Sequence, residues 1–304
     1  MIDHNDPVVI VGRPRSGTRM VAALLENAGF FLGADLADRQ LDSLSWYQRF
    51  VAPLVTSRFF PGWPDDPELD LLVGERLRDT WPRYLGDRAA PPERWGWKYP
   101  ETLFTLPLLL REFPRMRVIH LIRDGRDVCA SRDGFFQTTG PLADPPGWDP
   151  PELPLPARRP AATGPRPSYR EFSAAVTFGD AGAACWRGID LADPVARARN
   201  RFLIGMRAWA FAVETSRAYG SALGPRYREV RYEQLCAEPA DTAAGLLGWL
   251  GSPGTRTMTD FAADLVRANR VGAWRRTART ASERRDFDAA VSYGADLLAS
   301  LGYR

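Results

Sequence analysis

The run Pro7-Val8-Val9-Ile10-Val11-Gly12 is short, apolar and β-branched, and it breaks into the loop Gly12-Arg13-Pro14-Arg15-Ser16-Gly17-Thr18. A buried strand is the reading for such a run. The stretch that follows, Arg19 to Gly29, has helical spacing and a glycine stop. Strand, glycine-bounded loop and helix form the first half of a βα unit. The pattern recurs at Arg117–Ile122, which leads through Arg123-Asp124-Gly125-Arg126-Asp127 into a helix expected to reach about residue 132. It recurs again at Tyr227–Tyr232, followed by a helix over Asp241–Leu250 that Gly251 closes. A short strand is expected at Arg94–Lys98 and helices at 69–86, Thr102–Glu112, 194–219 and, for the most part, 261–302. Apolar strands alternating with helices predict an α/β chain with a parallel sheet flanked by helices on both faces. Residues 141–167 hold 10 of the 26 prolines, so an irregular insertion or lid is expected over about 137–172. A single domain spanning 1–304 is the economical organisation.

Composition narrows the function. Forty basic against 37 acidic side chains leave a formal charge of +3 on 304 residues, too weak to imply a nucleic-acid partner by electrostatics. No segment approaches the roughly 20 apolar residues of a membrane span. The start, MIDHNDP, lacks the basic-then-apolar order of a secretory signal. Cys129, Cys185 and Cys236 are too few and scattered for a disulfide framework or zinc site. His4 and His120 are the only histidines, which nearly excludes a triad or multi-histidine metal centre. These features predict a soluble, cytoplasmic protein that needs no metal. Lys98 is the single lysine beside 39 arginines. Chance survival is the plain explanation; a need for a compact ammonium at that position is the sharper one.

The loop Gly12–Thr18 has the Gly-x4-Gly spacing of a phosphate loop, in which backbone N–H groups and a helix N-terminus make an anion nest. It is not a Walker A motif. Thr18 stands where that motif has lysine, and Arg19 where it has serine or threonine. Arg13 and Arg15 bring charge from within the loop instead. A polar βα turn that binds nothing is the alternative, but two arginines in so tight a turn repel each other without an anion to share.

Pro14-Arg15-Ser16-Gly17-Thr18 after an apolar strand resembles the 5′-phosphosulfate loop of sulfotransferases that use 3′-phosphoadenosine 5′-phosphosulfate (PAPS). Three further segments match in the family's chain order. VIHLIRDGRDVCAS resembles its 3′-phosphate segment, with Arg123 and Ser131 matching the arginine and serine that hold that phosphate. Residues 267–275 resemble the motif written RKGxxGDWK. Arg267, Gly272 and Trp274 fall in register, whereas the family's Lys-Gly is Ala268-Asn269 here. Arg270 stands ready to replace the lost charge, and which of Arg267 and Arg270 reaches the 3′-phosphate stays open. VRYEQL resembles the strand end where a tyrosine, here Tyr232, lies near the adenine. The matches run from residue 8 to residue 275. The resemblance implies a P-loop-type sulfotransferase fold, PAPS as donor with PAP as product, and a donor site built from Arg13, Pro14, Arg15, Ser16, Gly17, Thr18 and Arg19 with the residues just named.

In-line displacement at sulfur builds charge on the leaving bridging oxygen, by analogy with phosphoryl transfer. Lys98, at a strand end beside the loop if the sheet is built as the family's, and Arg15 are assigned to stabilise it. Cytosolic members of the family place a histidine two residues after a comparable lysine; Pro100 occupies that position here. His120 reads as a core residue and His4 as part of a frayed terminus. A carboxylate base is the remaining option: Asp42 first, with Asp38 and Glu101 as alternatives, each also readable as an ordinary loop acid. Trp46, Tyr47, Phe50, Phe59, Phe60, Trp63, Phe135 and Phe136 are either core or the wall of an acceptor pocket. The acceptor is expected to be a hydroxyl on a small molecule, natural product or carbohydrate; no nucleic acid is expected, and a homodimer stays open. The rivals are a P-loop kinase or nucleotide hydrolase, and an inactive PAP-binding module.

Overall fold

A computed structural model describes residues 7–34, 74–75, 79–131, 195, 199–252, 256–266 and 268–304. Strand β1 (Val8–Gly12) leads into helix α1 (Thr18–Asn27), and β2 is Gly96–Lys98. Then come α2 (Leu106–Glu112), β3 (Arg117–Ile122), α3 (Gly125–Ala130), the long α4 (Arg201–Leu223) and β4 (Tyr227–Arg231). The remaining described elements are helices: α5 (Tyr232–Ala237), α6 (Pro239–Trp249), α7 (Arg256–Leu265), α8 (Ala273–Arg276), α9 (Ala281–Tyr293) and α10 (Ala295–Ser300).

The four strands pair in the order β2-β1-β3-β4, all parallel. Alternation along β1 sorts its side chains to the two faces. Val9 and Val11 pack with Trp97, Leu106, Leu109 and Ala212, on the side of α2 and α4. Val8 and Ile10 pack with Val21, Leu25, Leu246 and Leu247, on the side of α1 and α6. Each fully buried aliphatic side chain contributes roughly 1.5–3 kcal/mol, and neither face of the strand reaches water. That double burial is why the strand reads as an unbroken apolar run. A third cluster gathers Ile122, Val128, Met206, Trp209 and Phe287 between α3, α4 and α9.

Several boundaries differ from the sequence reading. The predicted strand 94–98 pairs only over Gly96–Lys98, with Trp95 in an isolated bridge to Phe31. The helix expected from Thr102 opens as a 3-10 turn, Pro100–Thr105, and becomes α-helical only at Leu106. Pro100 is preset for a first helical position and has no N–H to leave unpaired. Helix α3 stops at Ala130, with Ser131 already extended, and α4 runs on to Leu223. The insertion expected over 137–172 lies outside the described residues.

Strand β1 is central, and the chain crosses from β2 on one side of it to β3 on the other. The crevice beyond the carboxyl ends of β1 and β3 is therefore the switch point where parallel sheets bind ligands. Gly12 pairs with Leu121 across that end. The loop after β1 and the turn after β3 thus emerge side by side.

Candidate active site

Loop 12–18 is held by two close approaches. A Cβ on Gly12 would stand 2.6 Å from the Leu121 carbonyl oxygen, and one on Gly17 would stand 2.5 Å from the Tyr232 ring. Gly17 is also left-handed, with φ of 96°, and N-caps α1 without any side-chain cap or first-turn acid. The first amides of α1 therefore face the loop with the positive end of the helix dipole behind them. Arg15 has φ of 77° and is the non-glycine residue with positive φ among those described, a conformation that costs about 1–3 kcal/mol. What holds it is Arg123, whose Nη1 donates to the Arg15 carbonyl at 3.1 Å. Arg13, Ser16 and Thr18 are buried, Pro14 and Gly17 half-buried, and Arg15 and Arg19 exposed.

Arg123 stands just past the end of β3 and is buried. Besides the loop carbonyl, its Nη2 donates to the Arg270 carbonyl and pairs with Asp127 at 3.3 Å. Its guanidinium also lies 4.6 Å over the Tyr232 ring. Its Nε is buried with no hydrogen-bond partner among the described residues. One side chain thus touches the loop, the strand-end tyrosine and the C-terminal segment, although these lie more than 100 positions away along the chain. Burial raises the pKa of the Tyr232 phenol, so it stays neutral. Ser131 is the half-buried C-cap of α3, at the other end of that helix from Arg123, roughly 9 Å along at 1.5 Å per residue.

The C-terminal segment is anchored to the same short helix. The Asp127 carboxylate accepts the backbone N–H groups of Gly272 at 2.8 Å and Trp274 at 2.9 Å. Asp124 N-caps α3 and takes a forked bond from Arg126. Arg126 in turn lies 4.6 Å over Trp274, which stacks on Phe287. Glu233 accepts the Asp124 N–H and the Tyr303 hydroxyl, and burial raises its carboxyl pKa. Sequence reasoning missed Asp124, Asp127 and Glu233. The only signal available was the four-residue interval between Arg123 and Asp127, which stacks their side chains on one helical face.

Lys98 is the last residue of β2, in register with Ile10, and is only 2% exposed. Such burial sets it apart from an ordinary, partly exposed strand-end lysine. A buried ammonium two ladder positions short of Gly12 lies at the switch-point end of the sheet. His120 is fully buried inside β3, with Nδ1 2.6 Å from the Tyr227 hydroxyl. Burial pushes its pKa down to about 3, so it is a neutral core residue, as expected. Glu101 lies in the 3-10 turn Pro100–Thr105. Asp38, Asp42, Arg267 and the aromatics at 46–63, 135 and 136 lie outside the described residues. Among those described, no cluster of acids, histidines and cysteines could hold a metal ion, and no helix is long and apolar enough to cross a membrane.

Residues 7–147 match the model of a sulfotransferase family. This segment, just under half of the chain, is similar to that family. The match takes in the loop, Lys98, Arg123 and Ser131. No protein of curated function matches the sequence. Among solved structures, the chain is similar to the sulfotransferase domain of the Synechococcus PCC 7002 olefin synthase, with 15% identity, 96% of each chain covered and a TM-score of 0.45. It is similar to the sulfotransferase domain from the curacin biosynthetic pathway, with 13% identity, 99% of this chain and 98% of that one covered, and a TM-score of 0.47. Sulfotransferase STF9 from Mycobacterium avium gives 14% identity, 97% and 76% coverage and a TM-score of 0.45.

Proposed function

We propose that the protein transfers a sulfuryl group from PAPS to an acceptor hydroxyl and releases PAP. The observation that carries this reading is the position of Arg123, whose guanidinium meets the loop, Tyr232 and the C-terminal segment at once. A nucleotide with phosphates on both its 5′ and 3′ sides needs two anion seats flanking one base. The uncapped N-terminus of α1, with Arg13 and Arg15 in the loop before it, suits the 5′ group. The buried Arg123 guanidinium, whose Nε has no acceptor among the described residues, suits the 3′-phosphate, because a charge so placed gains from a further acceptor. Ser131 and either Arg267 or Arg270 are assigned to the same phosphate, Gly272 and Trp274 to the segment that closes on it, and Tyr232 to the adenine.

The donor supplies a sulfuryl group on a bridging oxygen that becomes negative as the S–O bond breaks. Lys98 and Arg15 are assigned to meet that charge, where preorganised donors in a dry site act most strongly. Asp42, or failing it Glu101, is assigned to take the acceptor proton, for which it must come within about 3 Å of the hydroxyl. Thr18 and Arg19 replace the lysine and hydroxyl that a triphosphate and magnesium need, which disfavours the kinase reading.

Calorimetric titration with PAP, with AMP and with ATP plus magnesium tests the proposal. Tight PAP binding, weak AMP binding and no gain from magnesium are expected. A preference for magnesium–ATP would overturn it in favour of a kinase or hydrolase.

A further inference from the structure

We propose that Asp127 is a positioning residue. Its carboxylate docks the segment carrying Arg270, Gly272 and Trp274 onto α3 before any nucleotide arrives, and so sets where Arg123 points. The side chain is wholly buried, with relative exposure of 0%. A buried carboxylate is costly unless its lone pairs are filled. Here Oδ2 accepts the Gly272 N–H and lies 3.3 Å from Arg123 Nη2, while Oδ1 accepts the Trp274 N–H.

The two amides come from a turn whose carbonyls are met by arginines, Arg276 at Asn269 and Val271 and Arg279 at Trp274, and Asp127 takes the amides. Gly272 is left-handed, with φ of 63°, and N-caps the four-residue α8 without a side-chain cap. Asp127 supplies from outside what the turn lacks: an acceptor for amides on both sides of Ala273. Because Arg123 also bonds the Arg270 carbonyl, the arginine, the carboxylate and the turn form one closed unit. Removing the carboxylate releases two backbone donors and one edge of the guanidinium together.

The direction of the effect separates this role from simple electrostatics. Asp127 is an anion beside the proposed 3′-phosphate seat. On charge alone, Asp127→Asn adds +1 to the site and tightens a polyanion. As a positioning residue, its neutral variant misplaces Arg123 and the 270–274 turn and weakens one.

The binding arm of the test rests on the PAP reading above; a second arm does not. Calorimetry on Asp127→Asn is expected to show PAP affinity lower by about tenfold or more, the range for a hydrogen bond to a charged group. AMP affinity should stay within about threefold and the thermal midpoint should confirm a folded protein. Unchanged or tighter PAP binding by the folded variant overturns the proposal. The second arm is hydrogen exchange in the wild-type protein without nucleotide. Gly272 and Trp274 amides are expected to exchange at least about 100-fold slower than an open chain; open-chain rates overturn the proposal even where the variant fails to fold. If the wild type does not discriminate PAP from AMP, the donor reading fails, while slow exchange would still establish the docking.

Discussion

Two polar clusters grow from buried residues of β3 and its end, three positions apart, and one of them reads as a functional site. Around His120, the Tyr227 hydroxyl lies 2.6 Å from Nδ1 and 3.2 Å from Glu229, which takes a fork from Arg217 at 2.7 and 2.9 Å. Burial alone would raise the Glu229 pKa, but Arg217 pulls it below the ordinary value. The charges there answer one another within β3, β4 and α4. Around Arg123, the same kinds of group reach outward to a loop, a ring and a distant turn. A buried polar group and an ion pair are common to both clusters, although the Arg217–Glu229 pair is half-buried and the Arg123–Asp127 pair buried. What separates them is place: His120 sits inside the ladder, and Arg123 sits just past its carboxyl end, where β1 and β3 part.

The contrast breaks most visibly at Lys98, which shares the carboxyl end of the sheet with Arg123. Lys98→Ala is expected to slow sulfuryl transfer by about 10²–10³-fold, the usual loss of one charge-stabilising donor. PAP affinity should stay within about threefold. A collapse of binding alongside rate would make the lysine a ground-state anchor instead.

Gly17→Ala sharpens the comparison from the loop side. The added methyl meets the Tyr232 ring in a left-handed position, so a loss of about 1–3 kcal/mol in stability is expected, with PAP affinity falling too. Urea denaturation and calorimetry on one preparation would read both. An unchanged midpoint would mean that the ring yields freely.

The smallest effect on nucleotide binding concerns His120, which should touch stability alone. Its folded pKa is about 3, below the usual value near 6.5, so between those limits the unfolded chain binds the proton and the fold resists it. Stability is therefore complete above pH 6.5 and declines towards pH 3, by at most about 1.4 kcal/mol per pH unit from this group. His120→Asn should flatten that slope and leave the PAP-to-AMP ratio unchanged; denaturation midpoints across pH would check it.

The readable parts of this molecule were those whose physics is local. Arg117–Ile122 emerges at its predicted bounds and Val8–Gly12 one residue inside the run Pro7–Gly12, because strands buried on both faces leave an unbroken apolar run. His120 was legible as core from its place inside such a run. Lys98 stood out by its uniqueness, but its burial depends on how β2 lies against β1, which no short window contains. Pro100 hid the 3-10 turn by opening it like an ordinary helix. Asp127 was the least legible. Its partners lie at Gly272 and Trp274, about 145 positions onward, and nothing around residue 127 announces a turn so far away.

The central claim is that Arg123 reads a 3′-phosphate, and the ratio of PAP to AMP affinity in the wild type and in Arg123→Ala tests it most directly. The account predicts a large ratio in the wild type that falls about 10- to 100-fold in the variant, with AMP nearly unchanged. An equal loss for both nucleotides, or an undiminished ratio, would contradict it.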